Sequence, residues 1–432
     1  MDVAQHKLLL KNKLLQLLAP FPIKLSVSKS KGRFIKAETD IKAGTTILKE
    51  KSAAFVLLRE NLEDFCDFCS KQLTHDAIAC EGCRKQTFYC NQVCMENSKK
   101  FHSLECKPVT DLRGLSAFHK VDYNLFRLII KLLVKEHFDS NSDNEHDVSL
   151  FDLVYKMISH EKLQNENWLK AVTNAAIDLV ESSLPFKVDA KKVVTLACII
   201  NSNSHGIYNP HSSTNDIIGL GLFPLTALIN HSCVPNCVFL GADKSKLSDE
   251  NDIMVRTLTD VKKGDEIVVS YLDLWSPNVD RRLELLATKH FWCECSRCNS
   301  SDGDIISAIH CEGCREGIYV NNTTSTQYSC EKCKSVISTE ELNNIQNCAK
   351  LEFEASFELY KNGHAALGEL EIILNKMKED GLLLINGGDG IDYKKEAKFN
   401  FNKSLEIREL IYGFDHQKTL MTRGELALIE DI

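Results

Sequence analysis

The sequence lacks a surplus of positive charge, a long uninterrupted apolar run and an export signal, and each absence removes a class of function. Its 52 Lys and Arg stand against 60 Asp and Glu, a net charge of -8, so no global basic field recruits nucleic acid. A local patch at Arg84, Lys85, Lys99 and Lys100 is the weak alternative; charge runs of this kind are usually solvated faces, and no nucleic-acid partner is expected. The longest uncharged stretch, Ile217 to Ala242, is broken by Gly, Pro, Asn and His, leaving apolar runs too short to span a bilayer. The leucine-rich start, Leu8 to Ile23, is interrupted by Lys11 and Lys13, and no small-residue cleavage site follows. It reads as an amphipathic helix rather than a signal peptide. A monomeric intracellular protein without a membrane segment, cytoplasmic or nuclear, is the expectation. With 432 residues and 44% hydrophobic content, the chain can bury a full core in about two to four domains.

Cysteine, by contrast, is abundant. Eighteen cysteines in a chain without an export signal point to bound metal, because fifteen of them fall into groups with ligand spacing. The first group is Cys66-x2-Cys69, Cys80-x2-Cys83, Cys90-x3-Cys94 and His102-x3-Cys106. Eight ligands in four pairs make two tetrahedral zinc sites, and the compact spacing favours interleaving, first pair with third and second with fourth. Interleaving ties both ends of a segment too short to bury a core of its own. The trio Cys293, Cys295 and Cys298 is one thiolate short of a closed site, and Cys233 is the candidate fourth ligand. Cys311-x2-Cys314 and Cys330-x2-Cys333 have the spacing of a structural zinc-ribbon-like knuckle. About four Zn2+ ions are therefore expected. Cys198, Cys237 and Cys348 remain as buried or free thiols.

The hydrophobic pattern indicates an α+β fold. Residues Lys31 to Ala37 and Ile41 to Leu48 alternate around a Gly turn and read as a strand pair. From Lys107 to about Phe186 the period becomes helical, with Tyr123, Phe126, Ile129, Ile130 and Leu133 on one face and a polar loop at Ser140 to Asp147. Strand character returns towards Glu266 to Tyr271. The last hundred residues read as helices around Leu351 to Tyr360, Ala365 to Met377, Tyr393 to Tyr412 and Gln417 to Ile429.

The run Asn230-His231-Ser232-Cys233-Val234-Pro235-Asn236, with Gly264-Asp265-Glu266-Ile267, Tyr271 and the later cysteine trio, resembles the core of SET-domain protein lysine methyltransferases. The order of pairs in the first cysteine group, and Phe88-Tyr89 before Cys90, resemble a MYND zinc finger; a RING would place its histidine earlier and end in C-x2-C. The whole order resembles the SMYD family of SET and MYND domain-containing lysine methyltransferases. The implied organisation is an N-terminal helix (1–23), a first SET part (24–65), the MYND finger (66–106), a helical insert (107–192) and the SET core (193–275). A post-SET zinc knuckle (276–300), a zinc-ribbon-like segment (301–338) and a TPR-like helical domain (339–432) follow, the last shorter than is usual in that family.

By this resemblance the chain is an S-adenosylmethionine-dependent protein lysine N-methyltransferase. Its substrate would be a histone or non-histone protein with an exposed lysine, and its MYND module would bind a Pro-rich peptide. The rival is a catalytically weak or inactive adaptor built on the same fold. Methyl transfer from a sulfonium to an amine needs alignment and desolvation, with no metal and no covalent intermediate, and the lysine must arrive neutral. The resemblance makes Tyr271 the active-site tyrosine, lying also against the cofactor. It places Asn230, His231 and Asn203 on the cofactor's polar groups, Gly32 and Arg33 along its bed, and Phe291 on its adenine. Two positions depart from the family pattern. Phe34 stands where a second glycine is usual, so it either crowds the cofactor from a left-handed backbone or turns into the core behind its strand, the second being preferred. His205 stands where an aromatic often lines the lysine channel.

Overall fold

The computed structural model describes residues 3–140, 149–209, 217–241, 252–274, 276–300, most of 309–348 and most of 402–430. The expected helices at 351–360 and 365–377, and nearly all of the expected polar loop, lie outside the described residues. The chain divides into two compact units: Met1–Tyr271 with Glu284–Trp292, and Leu272–Leu283 with Cys293–Ile432.

The first unit opens with α1 (Val3–Leu18), β1 (Ile23–Ser28), β2 (Gly32–Ala37), β3 (Thr46–Lys51) and β4 (Ala54–Leu57). β5 (Ile78–Ala79) and β6 (Phe88–Tyr89) precede α2 (Gln92–His119), α3 (Tyr123–Ser140), α4 (Leu150–Val154), α5 (Glu166–Asp178) and α6 (Ala190–Asn203). β7 (His205–Tyr208), β8 (Ile217–Leu222), β9 (Asn230–His231), β10 (Cys237–Gly241), β11 (Asp252–Thr257) and β12 (Val268–Val269) follow among the described residues of this unit.

Leu10, Leu14 and Leu18 recur at i, i+4 and i+8 along α1 and pack into the core formed by Ile35, Ile47, Leu48, Val255, Ile267 and Val269. β1 and β2 pair as an antiparallel hairpin whose register ends at Ser28 opposite Gly32. Gly32 has φ +65°, the left-handed backbone that this turn requires and that glycine adopts without a Cβ penalty. The opening strand pair therefore differs from the one expected. The tight turn folds β1 back onto β2, and β3 pairs instead with β11, in the order β10-β11-β3.

Phe34 also differs from both expectations. Along β2 the pleat buries Ile35 and Ala37 completely, so Phe34 points to the opposite face with Lys36. Its backbone is not left-handed, and its half-buried ring carries the ammonium groups of Lys31 and Lys36 at 5.8 and 5.9 Å from its centroid.

Helix α2 runs without a break through the boundary expected near residue 107. Asn91 caps it, its side chain accepting the Cys94 N–H at 2.9 Å, and Pro108 lies inside it. Its buried stripe, Cys94, Ser98, His102, Glu105, Val109, Leu112 and Ser116, follows the helical repeat, so the His102-x3-Cys106 spacing is the i, i+4 geometry of one helix face, while Cys90 lies just before the helix. A second core joins α3, α5 and α6 to β4, β7 and β8 through Phe126, Ile129, Ile130, Val172, Leu196 and Leu222.

A buried ionic network fastens the zinc-binding segment to α3. Arg127 and Lys131 reach Asp67 at 3.0 and 2.8 Å, and Arg127 also donates to Gln86 O and Tyr123 Oη, each at 2.9 Å. The two cations hold the Asp67 carboxyl far below the usual carboxylate range despite its burial.

The second unit includes the start of α7 (Asn278–Lys289), then β13 (Ile309–His310), β14 (Ile318–Asn321), β15 (Gln327–Cys330) and β16 (Val336–Ser338). These four strands form one antiparallel sheet in sequence order. Residues 404–410 and Gln417–Glu430 are helical, as the sequence pattern indicates, and Arg423 pairs with Glu409 at 2.6 Å.

Candidate functional site

The first cysteine group gathers as its spacing predicts. Cys66, Cys69, Cys90 and Cys94 form one set and Cys80, Cys83, His102 and Cys106 another, each with all ligand atoms within 4.8 Å of one another. A zinc-sulfur bond of about 2.3 Å sets a tetrahedral edge of about 3.8 Å. The sulfurs of Cys69 and Cys90 lie 3.6 Å apart, those of Cys90 and Cys94 3.5 Å and those of Cys80 and Cys106 3.9 Å, much longer than a disulfide. His102 turns Nε2 towards Cys80 Sγ at 3.1 Å. Gly82 is obligatory here, since a Cβ on it would meet Cys106 Sγ at 2.9 Å.

In the second unit Cys311, Cys314, Cys330 and Cys333 form a like set, with 3.6 Å between the sulfurs of Cys311 and Cys333 and 3.7 Å between those of Cys314 and Cys330. Cys293, Cys295 and Cys298 cluster beside the fully buried Arg281, whose Nη2 lies 4.0 Å from Cys298 Sγ. Arg282 braces this knuckle by donating to Cys293 O at 2.9 Å and Asn299 Oδ1 at 2.6 Å. These sets have the donors and spacing of structural zinc sites. Cys198 and Cys237 are buried and Cys348 exposed, all as free thiols, and burial pushes the Cys237 thiol up to about 12.

The run around Asn230 sits at a crossing of two short strands. β9 and β12 pair in parallel, Asn230 opposite Val268 and His231 opposite Val269, and Ser232 N donates to Val269 O at 2.9 Å. Asn236 stitches the crossing from the side, accepting Val268 N–H at 2.9 Å and donating to Glu266 O at 2.8 Å. Glu266 ties in the opening turn: Oε1 accepts from Asn230 Nδ2 at 3.0 Å and Oε2 pairs with Lys31, next to Gly32. The β9 approach is fixed by a residue the sequence did not single out. Buried Glu50 on β3 accepts from Leu225 N, Thr226 N and Thr226 Oγ1, each at 2.7 Å, capping the 3-10 turn Thr226–Leu228.

Tyr271 lies two residues past the end of β12. Its N–H donates to His231 Nδ1 at 3.0 Å and its hydroxyl to Ile229 O at 2.5 Å. Burial, helped by Glu266, raises the phenol above its ordinary value, so it stays protonated. Because His231 Nδ1 accepts, the imidazole proton belongs on Nε2, which lies 3.3 Å from Cys233 Sγ. The Phe291 ring lies 6.1 Å from that of His231, tilted by 51°.

Gly32, Arg33 and Asn203 complete the predicted set. No atom lies within 4 Å of where a Gly32 Cβ would stand, leaving open space above that turn. Arg33 Nη2 donates to Lys156 O at 2.6 Å. Asn203, at the end of α6, donates both amide hydrogens to backbone, to Ile158 O and Ile199 O at 2.7 Å each. Only its carbonyl oxygen is therefore left to face a ligand, which fits an amine better than a carboxylate.

His205 lies edge-on to Phe223 and Phe239, at 5.9 and 4.9 Å between ring centroids, with Nδ1 buried and unpartnered. Burial, with Lys289 nearby, lowers its pKa to about 4, so it is neutral at pH 7 and polar without being charged. Lys289 is a second residue absent from the predicted set. Its Nζ lies 5.8 Å from the centre of the Tyr271 ring and donates to Ser202 O at 3.0 Å. Glu50 and Lys289 gave no signal in the sequence, because each matters only through a partner far along the chain.

Comparison with known proteins finds the following relatives. Histone-lysine N-methyltransferase ASHR1 of Arabidopsis thaliana is 27% identical over 357 residues, covering 77% of this chain and 70% of that protein. A SET and MYND domain-containing protein of Dictyostelium discoideum is 27% identical over 387 residues, 73% of this chain and 96% of its own length. Human N-lysine methyltransferase SMYD2 is 28% identical over 280 residues, 64% of this chain and 60% of its own. A solved SET domain of LSMT bound to lysine and AdoHcy matches 69% of this chain and 59% of its own length, at 15% identity and a TM-score of 0.34. The SET domain family model matches residues 32–272, from the Gly32 turn to just past Tyr271. That match takes in more than half of the sequence, and the chain belongs to the SET-domain family, with relatives named SET and MYND domain-containing proteins.

Proposed function

We propose that this chain is an S-adenosylmethionine-dependent protein lysine N-methyltransferase, with Tyr271 as its catalytic residue. The observation that carries this reading is how Tyr271 is held. Its hydroxyl proton is committed to Ile229 O, so its oxygen presents lone pairs to the site. A substrate amine can then donate N–H to that oxygen, which turns the nitrogen lone pair away from Tyr271 and along a defined line. Since the phenol stays protonated, Tyr271 orients the amine and removes no proton; the proton leaves to water. Neutral His205, edge-on to Phe223 and Phe239, would bring no charge to the amine, and such apolar surroundings would favour its neutral form.

S-Adenosylmethionine, when bound, supplies the electrophilic methyl group. The residues present fit it. Open space at Gly32, the carbonyl oxygen of Asn203 and the unstacked faces of His231 and Phe291 are the features such a ligand needs. Asn230 would act through Glu266, holding the opening turn against β12. Zinc at the cysteine sets would be structural, and Cys233 would complete the Cys293, Cys295 and Cys298 set as its fourth thiolate. The substrate would be a protein with an exposed lysine, and the zinc-binding segment of residues 66–106 would take a Pro-rich peptide.

Calorimetric titration with S-adenosylmethionine tests the reading, followed by methyl transfer to a histone and lysine-peptide panel. Binding with transfer that falls about a hundredfold in Tyr271→Phe at unchanged cofactor affinity is expected. A chain that does not bind the cofactor would be an adaptor on a SET scaffold.

A further inference from the structure

We infer that Lys289 is an intramolecular methyl acceptor of this chain, its amine held against Tyr271 by the carbonyl of Ser202. The inference rests on the methyltransferase reading above and names one substrate for that site. Three features single Lys289 out. Its Nζ lies 5.8 Å from the centre of the ring that orients the amine in that reading, with the single donated hydrogen bond to Ser202 O at 3.0 Å. Among the described residues no carboxylate pairs with it. It also stands two residues before Phe291, whose ring faces His231 across the same site.

Among the described residues the groups that bear on this amine are aromatic rings, and the Glu266 carboxylate, which acts on Tyr271, is paired with Lys31. Tyr271 is a protonated phenol and His205 a neutral imidazole, while His160 and His290 lie with ring centroids 4.8 Å apart. Burial, then His290 and Lys289, depress His160, and burial depresses Lys289 in turn. A lysine without a counter-ion in such surroundings loses its proton more readily than one in water, and a neutral amine is the nucleophile the reaction requires. In the transfer the Nζ lone pair forms a bond to the methyl carbon while the carbon-sulfur bond of the sulfonium breaks. The electron pair stays on sulfur, giving the thioether S-adenosylhomocysteine, and the extra proton on nitrogen passes to water. The bond to Ser202 O uses one N–H of the amine and leaves its lone pair for the methyl carbon.

The full chain, incubated with S-adenosylmethionine alone and then digested, should carry methyl groups on Lys289 by mass spectrometry. The rate should not depend on protein concentration, and the mark should vanish in Tyr271→Phe. Binding of the cofactor with Lys289 left unmodified, or a rate proportional to protein concentration, overturns the inference while sparing the methyltransferase reading. Failure to bind the cofactor overturns both. A second readout needs no cofactor: competitive acylation across pH should show Lys289 reacting at lower pH than the exposed lysines. An ordinary lysine profile there overturns the inference as well. Lys289→Arg is the control for folding, since it can keep the Ser202 contact but cannot take this mark.

Discussion

His231 Nδ1 accepts the backbone N–H of Tyr271 at 3.0 Å, while the same ring turns Nε2 to Cys233 Sγ at 3.3 Å. One imidazole thus fixes the start of the Tyr271 backbone and faces a thiolate candidate, and its neutral tautomer is set by both.

Asn in place of His231 can offer Oδ1 near the position of Nδ1, whereas Ala offers nothing. His231→Asn should therefore stay within about 1 kcal/mol of the parent in urea denaturation, and His231→Ala should lose about 1–3 kcal/mol with a further drop in turnover. Equal stabilities of the two variants would deny the Tyr271 bond any weight.

Asp67 neutralises two buried cations at once. Asp67→Asn leaves Arg127 and Lys131 without a counter-charge and should cost about 3–5 kcal/mol, read as a lower denaturation midpoint. A variant with an unshifted midpoint would mean that the triad is not what fastens residues 66–106 to α3.

Metal content should come to about four zinc ions per chain by elemental analysis. Chelation should unfold the modules concerned, because ligand binding and folding are one equilibrium there. Two ions or fewer would contradict the ligand sets.

Acid should weaken the fold through His205. Its pKa falls from an ordinary 6.5 to about 4 on folding, so the folded chain binds fewer protons than the unfolded one between those values. The stability is fully present above pH 6.5 and is lost as pH falls towards 4, an effect of about 2 kcal/mol between pH 8 and pH 5. Glu50 works the other way: burial raises it to about 7, and the folded chain keeps a proton that the unfolded chain releases as pH rises from 4.5. His205→Phe removes only the first slope, so melts at pH 5 and pH 8 should show the variant gaining relative to the parent in acid. A parent and variant with parallel pH profiles would refute the assignment.

The zinc sets were legible because ligand spacing is local: i, i+3 knuckles and i, i+4 helix positions put their donors together whatever the rest of the chain does. The SET assignment was legible for a related reason, since Asn230 to Asn236 is one short run. The helix α2 boundary was missed because a cysteine-rich segment reads as loop, although Cys94, His102 and Cys106 share the period of a helix face. Phe34 was misplaced by position counting; the pleat of β2, anchored by Ile35 and Ala37, decides its face. Glu50 with Thr226, Asp67 with Lys131 and Lys289 with the Ser202 carbonyl were not legible, because each joins groups more than sixty residues apart.

The unbroken α2 has a mechanical consequence. Because the same rod that carries Cys94, His102 and Cys106 continues into the helical core, residues 66–106 are mounted, not tethered. A flexible linker would let a captured peptide sample many distances and raise the local concentration of any lysine attached to it. If residues 66–106 take a peptide as proposed, a rigid mount gives up that tolerance: only a protein whose docking motif and acceptor lysine are separated by the right span would gain from being held, and the spacing between them would become part of what is recognised.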